Sequence, residues 1–273
     1  MIILGTWFVV TVSLVTLLDA KCEQKNVKCG INKLSIYSGD PSGEVVNNHA
    51  NPWMAFLALT YYNRNGKLEG YTCSGTLIND EWILTSANCL SVGKNNNFAY
   101  GIAILGTNQV SYKNMSKHKV IITFNQKNFK PESYENDIAL LKLPKKLDFN
   151  DIGNYIRPIC LTYQYAELEN CSATGWAQLR PLSRQLVHIR ESIIPLDDCR
   201  KDGLLGTNAL CGKNRFQANC YNDYGGPLQC VEKKSKAWTI VGVVPYGLAC
   251  SGIHSFPRVL KYLDWIESVM DKK

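Results

Sequence analysis

Apolar residues along this chain fall into three kinds of pattern. Ile2 to Leu18 is a nearly unbroken apolar stretch closed by Leu18-Asp19-Ala20, so residues 1–20 read as a secretory signal peptide. The competing reading is a membrane anchor, since about 17–18 apolar residues just span a bilayer, but no basic stop-transfer flank follows. Residues 21–44 are polar, contain Gly, Asn and Ser, lack apolar periodicity, and read as an extended leader. From Pro52-Trp53-Met54 the pattern becomes short β-rich runs: Trp53–Tyr62, Tyr71–Ile78, Trp82–Thr85, Phe98–Leu105, Lys119–Phe124 and Ile138–Leu143. A second group follows, at Ala173–Leu179, Leu186–Pro195, Ala209–Cys211, Pro227–Val231 and Trp238–Val244, with Asn- and Gly-rich turns between runs. Two such groups imply an all-β domain of antiparallel barrels or sandwiches. Only the end changes period: Val259, Leu263, Ile266 and Met270 give one apolar face, predicting a packing helix over about 258–271.

Composition narrows the compartment. Eleven cysteines, none in metal-ligand spacing, behind a signal peptide imply a disulfide framework and a secreted, extracellular protein. Asn114 and Asn170 head glycosylation acceptor sequences, the second with a cysteine at its centre, which hinders modification if that cysteine is bridged. The net charge of +7 is spread thinly; Lys145-Lys146 and Lys233-Lys234 with Lys236 are the tight clusters. A solvated basic surface is the plain reading, with binding of an acidic polysaccharide as the alternative. Nothing points to nucleic acid, a cofactor or a metal ion.

Four stretches carry a resemblance. Trp82-Ile83-Leu84-Thr85-Ser86-Ala87-Asn88-Cys89, Asn136-Asp137-Ile138-Ala139-Leu140-Leu141, Cys171-Ser172-Ala173-Thr174-Gly175-Trp176 and Cys220-Tyr221-Asn222-Asp223-Tyr224-Gly225-Gly226-Pro227 occur in that order. The first, second and fourth are similar to the motifs around the catalytic histidine, aspartate and serine of trypsin-like serine proteases (peptidase S1), the third to that family's C-x-x-T-G-W, and the similarity covers about residues 45–270. The resemblance implies two antiparallel six-stranded Greek-key β-barrels, at about 45–155 and 156–257, with a C-terminal α-helix. It also implies the pairings Cys29–Cys160, Cys73–Cys89, Cys171–Cys230, Cys199–Cys211 and Cys220–Cys250. Cys22 is left over, for an intermolecular bridge, competition with Cys29, or capping by a small thiol.

The chemistry is altered where the scaffold is kept. Acyl transfer needs a nucleophile, a base to take its proton and a carboxylate to orient that base. The resemblance places Asp137 as the carboxylate, Asn88 at the base position and Tyr224 at the nucleophile position. An amide does not titrate, and a phenol has a pKa of about 10. Of the four histidines, His49, His118 and His188 map to the leader or outer strands, and His254 aligns with a pocket-lining glycine. Ala218 aligns with the pocket floor, where trypsins carry an aspartate, so no Arg- or Lys-selecting charge remains; an imidazole over an apolar floor suits a closed pocket. Asn222 stands at the oxyanion-loop glycine and tolerates its left-handed backbone. Pro245-Tyr246-Gly247 aligns with the substrate-pairing strand: Gly247 keeps both backbone groups for docking a peptide edge, or the strand is covered by loops. No basic cleavage residue followed by a small aliphatic terminus precedes the domain, which implies an uncleaved single chain with Asp223 paired elsewhere.

These departures resemble the non-catalytic serine protease homologues of arthropod haemolymph, venoms and seminal fluid. The resemblance implies a cofactor, decoy or inhibitor in an extracellular proteolytic cascade such as melanisation in innate immunity, with a protease or zymogen as partner. Two other functions compete: a polyanion- or microbe-surface-binding protein, and a residual endopeptidase.

Overall fold

The computed structural model of the chain describes residues 23–24, 27–32, 44–45, 50–91, 97–108, 116–125, 128–152, 155–161, 167–176, 178–180, 183–184, 186–201, 208–214, 224–245 and 252–272. Within the leader lie β1 (Glu23–Gln24), β2 (Val27–Lys28) and β3 (Glu44–Val45). The first half contains β4 (Met54–Tyr62), β5 (Leu68–Leu77), β6 (Trp82–Thr85), β7 (Asn97–Leu105), β8 (Ser116–Asn125) and β9 (Ala139–Lys142). These six close into a barrel in the order β4-β5-β6-β9-β8-β7, every pair antiparallel. The alternation of the sequence sets the sides. Leu57, Leu59 and Tyr61 of β4 are buried, while Ala58, Thr60 and Tyr62 turn outward. Strand β6 is buried throughout, so Trp82, Ile83 and Leu84 follow one another without polar alternation, and buried Thr85 donates its hydroxyl to the Ser74 carbonyl.

The second half has β10 (Cys160–Leu161), β11 (Leu168–Gly175), β12 (Gln178–Arg180), β13 (Ser183–Arg184), β14 (Val187–Arg190), β15 (Ser192–Ile194), helix α1 (Leu196–Lys201), β16 (Ala209–Asn214), β17 (Pro227–Glu232), β18 (Trp238–Val243) and β19 (Gly252–Pro257). They form a six-stranded curled sheet, β10-β18-β17-β11-β14-β3, and a three-stranded sheet, β15-β16-β19, joined by a bridge between Gly242 and Arg258. The architecture is the trypsin-like double barrel, with one local exception to its antiparallel rule: β10 runs parallel to β18. The run expected at Leu186–Pro195 is two strands, because buried Glu191 breaks it and the chain crosses from one sheet to the other. Helix α1 is only six residues long, too short to show a period. It starts after Pro195, has Asp197 and Asp198 in its first turn and Arg200 and Lys201 in its last, matching its dipole. The C-terminal element begins as a 3-10 turn, Val259–Tyr262, and becomes α-helical only at α2 (Leu263–Met270).

A seam of aromatic rings joins the halves. Phe56 of β4 meets Trp176 edge-on at 5.6 Å, and Trp53 lies 6.3 Å from Trp238 of β18. Each fully buried large apolar side chain contributes roughly 1.5–3 kcal/mol, so this seam fixes one half against the other.

The polar leader is not separate from this body. Cys29 is bonded to Cys160; Gly30 donates its N–H to Pro158 and accepts one from Trp238, both at 2.9 Å. Gly30 has φ +64°, and a Cβ there would stand 2.3 Å from the Trp238 carbonyl oxygen, so only glycine fits. Glu44–Val45 then pairs with Val187–His188 at the sheet edge. The leader's anchoring is by backbone and disulfide, which leaves no apolar period to read. Among the described residues, no helix is long and apolar enough to cross a membrane.

Candidate functional site

The three positions of the expected catalytic group converge between the two halves. Strand β6 delivers Ser86 and Ala87 into a 3-10 turn, Asn88–Leu90, pinned by the Cys73–Cys89 bridge and by the Tyr61 hydroxyl donating to the Cys89 carbonyl. Asp137 sits just before β9. Asn136 turns the chain there with φ +59°, a conformation asparagine tolerates. Its amide donates to the Asn128 carbonyl at 2.9 Å, and its oxygen accepts the Tyr262 hydroxyl at 2.9 Å. Burial pushes the Tyr262 phenol up to about 12, so it remains a donor. The C-terminal segment thus fixes the aim of the carboxylate.

Asp137 is fully buried, and its Oδ1 accepts the Ser86 hydroxyl at 2.6 Å and the Asn88 backbone N–H at 2.7 Å. Asn88 therefore meets the carboxylate through its main chain. Its side chain carries no titratable nitrogen, so no proton can be relayed from position 88 to Asp137.

Tyr224 is half-buried and packs against the main core. Its carbonyl accepts the Ser74 N–H at 2.8 Å, and the Cys89 sulfur lies 3.7 Å from the same oxygen. Gly225 follows with φ +83° and donates to Val244 at 2.8 Å; Val244 donates back to Gly226 at 2.8 Å. A Cβ at Gly225 would come within 2.1 Å of the Thr85 hydroxyl and 2.4 Å of the Ser74 carbonyl. The loop's backbone is thus wedged into β5 and β6, which places a phenol ring where a small hydroxyl is expected.

Ala218, Asn222, Gly247, Asp223 and the Cys220–Cys250 pair lie outside the described residues, as do Cys22, Asn114 and residues 1–20. The bridges Cys29–Cys160, Cys73–Cys89, Cys171–Cys230 and Cys199–Cys211 are formed. Asn170 is exposed, with φ +51°, at an irregularity of β11 where register shifts between Glu169 and Ser172. His254 is buried on β19 opposite Gly212, with its ring edge-on to Phe256 at 6.3 Å. Its Nε2 has no hydrogen-bond partner among the described residues, and burial lowers its pKa to about 4, so it is a neutral ring.

Two polar groupings escaped the sequence. Glu191 is 4% exposed; burial raises its pKa to about 7, against the opposing hydrogen bond from Asn214, and its Oε2 has no partner among the described residues. That oxygen would lie 3.1 Å from a Cβ on Gly212, the residue opposite His254. Absence of a side chain at position 212 is what makes room for the carboxyl. The second is a directed chain of hydrogen bonds. Trp53, whose indole only donates, gives its proton to Gln229 Oε1 at 2.6 Å. The Gln229 amide donates to Asn51 Oδ1 at 3.0 Å and Thr174 Oγ1 at 3.1 Å. Asn51 Nδ2 reaches His188 Nε2 at 2.5 Å, and His188 Nδ1 reaches Ser172 Oγ at 3.1 Å. The indole sets the direction of the whole chain, so His188 must accept at Nε2 and carry its proton on Nδ1. The residue is only partly exposed, both ring nitrogens are engaged, and burial lowers the pKa to about 4. Partners 137 and 178 positions apart gave no local signal.

Among the described residues, no group of three or more His, Cys, Asp or Glu side chains is placed to hold a metal ion.

The family profile described as Trypsin matches residues 40–266. The human protein "Inactive serine protease 54" is 26% identical over 262 residues, which cover 90% of this chain and 62% of that protein. The chain thus spans less than two thirds of that relative's length. Among solved structures, HL collagenase superposes with a TM-score of 0.68 at 25% identity, covering 85% of this chain and 98% of that one. GrC does so with a TM-score of 0.67 at 24% identity, covering 84% and 98%, a likeness of fold. With the double barrel, the buried Asp137 and the wedged glycine loop already in place, the profile's span over most of the sequence settles the matter: the chain belongs to the trypsin family.

Proposed function

We propose that this protein is a secreted, catalytically inactive trypsin-family member that binds a protease or zymogen and so regulates an extracellular proteolytic cascade. The observation that carries the reading is the pairing of a preserved frame with replaced chemistry. Asp137 is buried and aimed, and the Gly225 loop is wedged against β5 and β6, while position 88 carries an amide and position 224 a phenol. A scaffold retained at this precision without base or nucleophile is suited to recognition of other proteins. The relative named an inactive serine protease supports the same direction. The polysaccharide alternative draws less support, because the basic clusters carry their own carboxylates. Lys146 pairs with Asp80 at 3.3 Å, Lys233 with Glu167 at 3.1 Å and Lys236 with Glu169 at 2.9 Å.

The test is addition of the intact protein to a reconstituted extracellular protease cascade. A concentration-dependent change in zymogen cleavage or product formation is expected; no change at molar excess would overturn the reading. A second prediction separates a lost triad from a wider loss. The double variant Asn88→His with Tyr224→Ser is expected to hydrolyse arginine esters no faster than buffer and to resist fluorophosphonate labelling. Restoring two groups leaves Ala218 at the position the resemblance aligns with the aspartate of the trypsin pocket floor, neutral His254 on β19, and no basic cleavage residue followed by a small aliphatic terminus. Turnover of an arginine ester by that variant would show that only the triad separates this chain from an enzyme.

A further inference from the structure

We infer that the outer face of β4, β5 and β7 is a docking surface for an acidic peptide segment carrying apolar side chains. The inference rests on the binding role proposed above and names the surface and partner chemistry for it.

Seven large apolar side chains are more than a third exposed among the described residues, and three of them meet here: Tyr62 (47%), Leu68 (53%) and Tyr100 (48%). Register explains the meeting. Tyr62 lies directly opposite Leu68 across the β4–β5 hairpin, and Thr60, two residues earlier on the same face, lies between Gly70 of β5 and Tyr100 of β7. Opposite and diagonal neighbours of this kind are within reach of aromatic side chains. Gly70 has nothing within 4 Å of the position a Cβ would take. Gly70 and Thr60 therefore form the open floor of a notch, walled by Tyr62 and Leu68 on one side and Tyr100 on the other. Half-exposed Ala58 and Ile102, opposite each other in the next row, extend the apolar surface.

Both charged side chains at the tip of this hairpin are cationic. Arg64 and Lys67 stand exposed at the hairpin tip, with no ion pair among the described residues. The hairpin's carboxylate, Glu69, alternates to the other face, where the Asn63 amide donates to it at 2.8 Å and the Tyr71 hydroxyl at 3.2 Å. It is thus turned away from the apolar wall. The tip is also held in shape: Asn63 Oδ1 accepts the N–H groups of Asn65 and Lys67, both at 2.9 Å, and Gly66 supplies φ +72°. A preorganised tip reduces the ordering penalty of binding. Two unpaired cations beside an apolar notch are complemented by a chain that alternates carboxylates with apolar side chains. A purely charged polymer would leave the notch wet, and a neutral apolar partner would leave the cations unused.

The measurement is fluorescence anisotropy of two labelled twelve-residue peptides, one alternating Glu and Phe, one alternating Glu and Ser, on the intact protein. Heparin fragments serve as competitor. The Glu/Phe peptide is expected to bind at least tenfold tighter than Glu/Ser, weakening with added salt. Leu68→Ser and Tyr100→Ser should each weaken it at least fivefold, and Arg64→Glu with Lys67→Glu at least tenfold with loss of the salt dependence. Ile31→Ser and Tyr155→Ser, exposed elsewhere, should leave it unchanged. Equal binding of both peptides, displacement by heparin alone, or indifference to the notch variants would overturn the inference. So would self-association in sedimentation that the same variants abolish. The cascade assay keeps the two proposals apart: an effect on zymogen cleavage that survives all notch variants removes this surface and leaves the binding role standing.

Discussion

Gly225→Ala is expected to lower the thermal midpoint by about 10 °C, corresponding to a loss of about 3–5 kcal/mol for a domain of this size. Two effects add. The residue sits at φ +83°, where a Cβ is strained whatever the space around it, worth roughly 1–2 kcal/mol. The new carbon also overlaps the Thr85 hydroxyl at 2.1 Å and the Ser74 carbonyl at 2.4 Å. The hydroxyl can rotate away, but the carbonyl belongs to β5 and cannot move without disturbing the barrel. If the loop lifts instead, the bonds from Ser74 to Tyr224 and from Gly225 to Val244 are lost. Gly66→Ala is the control, since φ there is +72° with nothing within 4 Å; it should lose only the strain, about 1 kcal/mol. Adding Thr85→Ala to Gly225→Ala should recover a minority of the loss. Scanning calorimetry of the four proteins decides it, and a Gly225→Ala midpoint no lower than that of Gly66→Ala would show that the loop is not wedged.

The contrast between these glycines marks what the sequence could tell. The runs of the first barrel are legible for two reasons: alternation survives where one face is wet, so that β4 is found within a residue of its expected bounds and β5, β7 and β9 within a few, while Trp82–Thr85, buried throughout, stands out as a short β-rich run and is found at its expected bounds. Strand β19, Gly252–Pro257, is invisible beforehand because glycine, histidine, serine and proline dilute its pattern. The leader's docking is invisible for another reason, since Gly30 and Glu44–Val45 attach by backbone bonds that every residue type can make. At the site, the motif identities locate Asn88, Asp137 and Tyr224. They do not show that Ser86 supplies a hydroxyl to the carboxylate, or that Tyr262 steadies Asn136 from 126 positions away. Glu191 gives no sequence signal, because a glutamate inside the single expected run Leu186–Pro195 looks like an outward-facing strand residue. Its burial depends on Gly212 and Asn214, which reach it only after the sheet has formed.

Glu191 and the two buried histidines lead to the second large effect, on stability against pH. His188 and His254 have folded pKa values near 4, against 6.5 when exposed. Above pH 6.5 they are neutral in both states and contribute no difference. As pH falls from 6.5 toward 4, the unfolded chain takes up protons that the folded chain refuses, so stability is lost, by at most about 3 kcal/mol for each ring. His188 has a structural reason to refuse: a proton on Nε2 would face the donating amide of Asn51 in a chain whose direction Trp53 has fixed. Glu191 works in the opposite sense. Its folded pKa near 7 lies above the 4.5 of an exposed carboxyl, so stability is depressed above pH 7 and recovered as pH falls to 4.5, by about 3 kcal/mol. The glutamate thus offsets about one histidine, and the protein should hold a nearly level stability around pH 7 to 5.5 before declining. Glu191→Gln removes the offset while its oxygen still accepts the Asn214 amide. Unfolding free energies of the variant from urea titrations should exceed the parent's at pH 8 by about 2–3 kcal/mol, meet them near pH 4.5, and fall more steeply between. Comparing variant with parent cancels every other titrating group. Parallel curves across that range would mean that Glu191 is ionised in the folded protein at neutral pH, and that its unpartnered oxygen is not buried as the cluster with Asn214 and Gly212 requires.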